Sequence, residues 1–123
     1  IYAAAQNDAK KAALEARGAT VIYLPNAQGK VSLPAMLRDL AQRGVNELHV
    51  EAGNKLNGSF VREGLVDEML VYLAPTLLGP GLGMASVGPL ETLAQGLALD
   101  FTSVDRVGPD VRLVARVRGR DAF

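Results

Sequence analysis

The sequence contains no cysteine. That excludes disulfides and thiolate metal sites, and it fits a reducing compartment. Histidine occurs once, at His49, and with no cysteine or second histidine a metal centre is not expected. Neither sign of charge predominates: Lys and Arg total 13, Asp and Glu total 13, and the formal net charge is zero. A chain so balanced has no general electrostatic attraction to nucleic acid or to an anionic membrane. No apolar run approaches the roughly 20 residues that a membrane-spanning helix needs. The first residues lack the basic start and long apolar segment of a secretion signal. A cytoplasmic setting is therefore expected. There are no internal repeats and no low-complexity tract.

What is present is an apolar share of 49% over 123 positions, enough for one core and at most one domain. Residues 1–118 are expected to belong to that domain and residues 119–123 to form a loose tail. The opening Ile1-Tyr2-Ala3-Ala4-Ala5 reads as strand interior without an entry signal. The chain is therefore expected to start inside its domain, truncated at the amino end.

Asn7 or Asp8 can cap a helix continuing to Arg17, with an alanine face of Ala9, Ala12, Ala13 and Ala16, and Gly18 stops it. Residues 19–24 are a short apolar run with β-branched members, hence a strand. Ser32 is a good N-cap, Pro34 suits a first turn, and Leu33, Met36, Leu37 and Leu40 recur at helical spacing before Arg43 and Gly44. Residues 47–50 read as a buried strand and 66–74 as another. This alternation implies an α/β fold with right-handed crossovers and a mostly parallel sheet. Residues 75–89 form a long glycine-rich loop, either a lid or a subunit contact. Residues 97–107 and 111–118 then read as an antiparallel hairpin turning at Gly108-Pro109-Asp110.

The centre of the chain carries the chemistry. After the strand at 47–50 come Glu51-Ala52-Gly53, then a helix capped by Asn54 with Leu56, Phe60 and Val61 on one side, ended by Gly64. A helix start presents unpaired N–H groups and a positive dipole end, where an anion can dock, and small residues let it approach. Gly53 reads equally as a phosphate contact or as a plain turn residue. Gly53 and Gly58 have P-loop spacing, but Ser59 and Phe60 follow where the P-loop lysine belongs, and no Gly-x-Gly-x-x-Gly follows a strand. Glu51 is either a solvated strand end or a carboxylate facing a ligand in the crevice. Asp67 and Glu68 are neighbours on a strand, so their carboxylates diverge and make no acid–base pair. Arg112, Arg116 and Arg118 lie without interleaved aromatics and read as a solvated strand face.

The run from Val50-Glu51-Ala52-Gly53 through Leu56, Gly58, Gly64-Leu65-Val66-Asp67-Glu68, Tyr72, Ala74-Pro75 and Leu77-Leu78-Gly79 resembles the reductase domain of the bifunctional riboflavin biosynthesis deaminase/reductase (RibD) family. Val107-Gly108-Pro109-Asp110-Val111 is similar to that family's last hairpin. The family often has Pro-Thr where this chain has Asn54-Lys55. The resemblance implies a three-layer dihydrofolate-reductase-like fold in which NADPH reduces a pyrimidine ribose phosphate, 5-amino-6-(5-phosphoribosylamino)uracil. It implies that Glu51 lies in the active site and that Ala52, Gly53, Asn54, Lys55 and Leu56 hold the cofactor. A homodimer and an upstream zinc deaminase domain are implied as well. Another reductase of this fold acting on a pyrimidine or pteridine remains open, as does a non-catalytic nucleotide-binding module. With no convincing clamp for a phosphorylated substrate in these residues, the chain by itself is expected to be inactive.

Overall fold

A computed structural model describes residues 1–120 of the chain. They fall into two compact units, Ile1–His49 and the residues from Val50 onward.

In the first unit, β1 (Tyr2–Ala3) pairs in parallel with β2 (Ile22–Tyr23), in the register Tyr2 to Ile22 and Ala3 to Tyr23. The connection is α1 (Asp8–Glu15), so the unit opens with a β-α-β turn of chain. Asn7 caps α1 by accepting a hydrogen bond from the Lys10 amide, as its short side chain predicts. The second helix, α2 (Leu33–Gln42), is capped by Ser32, and its first residue Leu33 is buried. Asp39 on α2 accepts from the Tyr2 hydroxyl at 2.7 Å and from Arg43 at 2.6 Å, tying the helix to β1.

The second unit contains α3 (Asn54–Arg62) and a three-stranded antiparallel sheet ordered β3 (Glu68–Leu73), β5 (Asp110–Val117), β4 (Leu99–Val107). α3 ends as its sequence predicts. Gly64 sits at φ 65°, the Leu65 amide reaches back to the Phe60 carbonyl at 2.9 Å, and the Gly64 amide bonds Val61 at 3.1 Å. That is the Schellman pattern, which needs a left-handed residue after the last helical turn. The hairpin closes on a two-residue turn, Gly108-Pro109, with Val107 opposite Asp110. A bulge lies between Phe101 and Ser103. It restores the alternation: Leu99 and Phe101 oppose Val117 and Ala115, and beyond it Val104 still opposes Leu113. The inner core of this unit is Phe60, Ala115 and Val117, each under one tenth exposed.

Two expectations are corrected here. Residues 45–53 form no strand, and Leu48 and Val50 are exposed. A parallel strand needs a partner edge along its length, and among the described residues β2 pairs only with β1 while β3 pairs only with β5. Parallel pairing among the described residues is therefore confined to β1 and β2, and the remaining strands are antiparallel.

Arg112 and Arg116 of β5 and Arg118 just beyond it are exposed in part, but each is matched to an acid. Arg112 meets Asp105 at 2.9 Å, Arg116 meets Glu68 at 3.4 Å and Arg118 meets Asp100 at 2.7 Å. Cross-strand register places Asp105 opposite Arg112 and Glu68 opposite Arg116, so the pairs follow directly from the ladder. Asp67 diverges from Glu68 and takes Arg120 at 2.9 Å. Of the tail expected at 119–123, residues 121–123 lie outside the described residues. No helix among the described residues is long and apolar enough to cross a membrane.

Two measurements test this packing. Phe60→Ala removes the largest side chain of the second unit's core and should cost about 3 kcal/mol. Its urea midpoint should fall while the slope of the transition holds. Arg118 keeps the Asp100 carboxyl below its ordinary value, and Arg112, with help from Ser103, does the same for Asp105. Groups depressed in the folded state add stability above the unfolded value and lose it as pH falls through the folded one. The Asp100→Asn, Asp105→Asn double variant should thus be less stable than wild type at pH 7, and the two should converge only once acid takes pH below the depressed folded-state values, which lie under the ordinary 3.8.

Candidate functional site

α3 starts at Asn54, but Asn54 is not its cap. Gly53 holds that position, at φ −78° and ψ 167°, and offers no side chain to bond the helix amides. The expected Asn54 cap is corrected for a physical reason: its carboxamide is engaged elsewhere, donating to the Gly83 carbonyl at 2.6 Å. The amides of Asn54 and Lys55 thus lie ahead of the first turn of helical bonding, whose Leu56 and Asn57 amides both reach the Gly53 carbonyl at 3.1 Å.

The Gly53 backbone lies in a region any residue adopts, and a Cβ built there would meet nothing within 4 Å. Neither backbone strain nor packing calls for glycine at this place. The small residue leaves the approach to the α3 amino terminus open. Lys55, two residues on, is exposed. Together these make a positive, unobstructed helix start, the local chemistry for an anion.

The other expected residues are distributed around this turn. Ala52 is half-buried, and its carbonyl accepts from the Asn57 side chain at 3.0 Å. Glu51 lies two residues before Gly53 on exposed, irregular chain. Leu56 was expected on the packed side with Phe60 and Val61, yet it is 44% exposed. The packed stripe of α3 is instead Asn54, Asn57, Gly58 and Val61, each half-buried or buried.

That stripe is covered by the glycine-rich loop. Residues 83–86 lie along α3, with the Met84 carbonyl on the Asn57 side chain at 3.0 Å and the Ser86 amide on the Asn54 carbonyl at 2.9 Å. Arg62 donates to the Ser86 carbonyl. A Cβ on Gly58 would stand 2.7 Å from the Ser86 nitrogen and closer still to its carbonyl, so only glycine admits this segment. Sequence reasoning passed over Asn57 and Arg62 because polar residues on a helix ordinarily face water. The available signal was spacing: Asn54, Asn57, Gly58 and Val61 fall at i, i+3, i+4 and i+7, which is one face.

Comparison with known proteins points one way. The model of the family described as RibD C-terminal domain matches residues 1–113. A riboflavin biosynthesis protein RibD from Bacillus amyloliquefaciens is 34% identical over 118 residues, 94% of this chain and 31% of that protein. A 5-amino-6-(5-phosphoribosylamino)uracil reductase from Buchnera aphidicola subsp. Acyrthosiphon pisum (strain APS) is 27% identical over 99 residues, 80% of this chain and 48% of that protein. Among solved structures, Acinetobacter baumannii RibD (form 1) superposes with a TM-score of 0.76 at 30% identity, covering 86% of this chain and 28% of that one. The chain thus spans less than half the length of each of these proteins.

Proposed function

This chain belongs to the RibD C-terminal domain family, and on that premise we propose that it forms the cofactor-side part of an NADPH-dependent reductase of riboflavin biosynthesis. The substrate is 5-amino-6-(5-phosphoribosylamino)uracil, reduced at its ribose carbon to the open ribityl chain. The name carried by the Buchnera relative supports that substrate. The observation that carries the cofactor reading is Gly53, a glycine that its own backbone and neighbours do not require, at the open start of α3. This geometry suits a diphosphate.

In this reading Gly53, Asn54, Lys55 and Leu56 receive the pyrophosphate on the first turn of α3, with Ala52 shaping the turn before it. A bound nicotinamide cofactor supplies the hydride. Glu51, on the same turn, orients the substrate and manages the proton that the released sugar oxygen takes up. The same reading makes the assembly a homodimer and places a zinc deaminase domain ahead of this one in a longer polypeptide. The greater length of the relatives supports the longer polypeptide.

Two substitutions in the intact natural protein test these roles. Gly53→Val should leave the melting temperature unchanged, because the space at Gly53 is open, and should weaken NADPH binding at least about tenfold by obstructing the phosphates. Titration of the cofactor against both proteins decides the matter, and equal affinities would remove Gly53 from the site. Glu51→Gln preserves size and hydrogen bonding while discarding charge. Its turnover should drop about a hundredfold, in the range usual for a lost acid–base group, with the fold retained by circular dichroism. Wild-type kcat and substrate KM in that variant would end the catalytic assignment.

A further inference from the structure

We propose that Asn57 is a positioning residue for the cofactor-binding turn, a brace whose one carboxamide joins that turn to the 83–86 segment. The proposal rests on the cofactor reading above. Asn57 touches neither reactant in that reading and acts through the backbone of Ala52.

The geometry is specific. The Asn57 Nδ2 donates to the Ala52 carbonyl at 3.0 Å and to the Met84 carbonyl at 3.0 Å. Both partners are acceptors, so only the amide end of the side chain fits between them. One hydrogen goes to the turn that precedes α3, and the other to the covering segment. Gly53 provides no side-chain cap bond, and residues 45–53 belong to no helix or strand. The covering segment is better anchored. Asn54 donates to Gly83, the Ser86 amide donates to Asn54, Arg62 donates to Ser86, and Gly58 lets the Ser86 peptide rest against the helix. Asn57 transmits that anchoring to Ala52. A turn held in one conformation keeps the Asn54 and Lys55 amides aimed at one point, which spares a bound anion the entropy of ordering them.

A brace of this kind couples both ways. If the 83–86 segment supports cofactor affinity through Asn57, bound cofactor must steady the segment by the same factor. Two hydrogen bonds of ordinary net strength correspond to a coupling of about tenfold.

The test uses the intact natural protein. Asn57→Ala, and Asn57→Asp, which keeps the shape but removes both donor hydrogens, should raise the KM for NADPH about tenfold. The pyrimidine substrate KM and kcat should stay within about twofold, a split that general destabilisation does not produce. An unchanged NADPH KM, or a parallel rise in both KM values, would overturn the proposal. A second measurement needs no variant: hydrogen exchange of the Ser86 amide in wild type should slow about tenfold when NADPH is added at saturation. Exchange indifferent to NADPH overturns the proposal even if both variants fail to fold. Failure of wild type to bind NADPH is a different result, and it sinks the cofactor reading itself.

Discussion

The peptide of Ser86 occupies the space that a side chain at position 58 would fill. The packing of the 83–86 segment on α3 depends on that approach. Because Gly58 is bare, a loop with no regular structure can lie flat on α3 and find hydrogen-bond partners for carbonyls that would otherwise need water. The helix meets it with Asn54, Asn57 and Arg62, polar side chains spent on backbone groups of the same chain. The apolar contribution comes from beside this stripe, through Phe60, which shares the unit's core with Ala115 and Val117. α3 thus buries Phe60 at one side and carries a polar strap at another, while the space at Gly53 is left clear.

That clearance also follows from where charge is placed. Arg112 and Arg116 of β5 and Arg118 just after it might have offered an anion site, yet the ladder sets an acid beside the first two and Asp100 pairs with the third. Pairs across a sheet at partial exposure contribute modest energy. Their larger consequence is to leave the sheet face electrically quiet, in keeping with the zero net charge of the chain. The positive feature at the start of α3 is of another kind. It comes from backbone N–H groups and a dipole, aided by Lys55, and owes nothing to a basic patch.

Features governed by neighbours in sequence were legible without coordinates. The caps at Asn7 and Ser32 depend on a side chain reaching an amide three residues on. The stops at Gly18, Gly44 and Gly64 depend on φ alone, and all three glycines are left-handed. The hairpin turn at Gly108-Pro109 is equally local. The central run from Val50 to Gly79 likewise carried enough of a family's pattern to identify its relatives, and with them the dihydrofolate-reductase-like fold.

What escaped was whatever a distant segment decides. Residues 47–50 have the composition of a buried strand, but a strand exists only where another edge pairs with it, and composition says nothing of partners. Asn54 has the chemistry of a cap, and lost that role to a carbonyl 29 residues away. Leu56 looked like core by hydropathy, while the contact face was set by Gly58 and two asparagines because a backbone, not a side chain, packs there. The sequence by itself determined the caps of α1 and α2, the glycine stops, turns, charge balance and family. Only the tertiary structure decided which face of α3 is covered and that Gly53 stands open, since both depend on contacts between residues far apart in the chain.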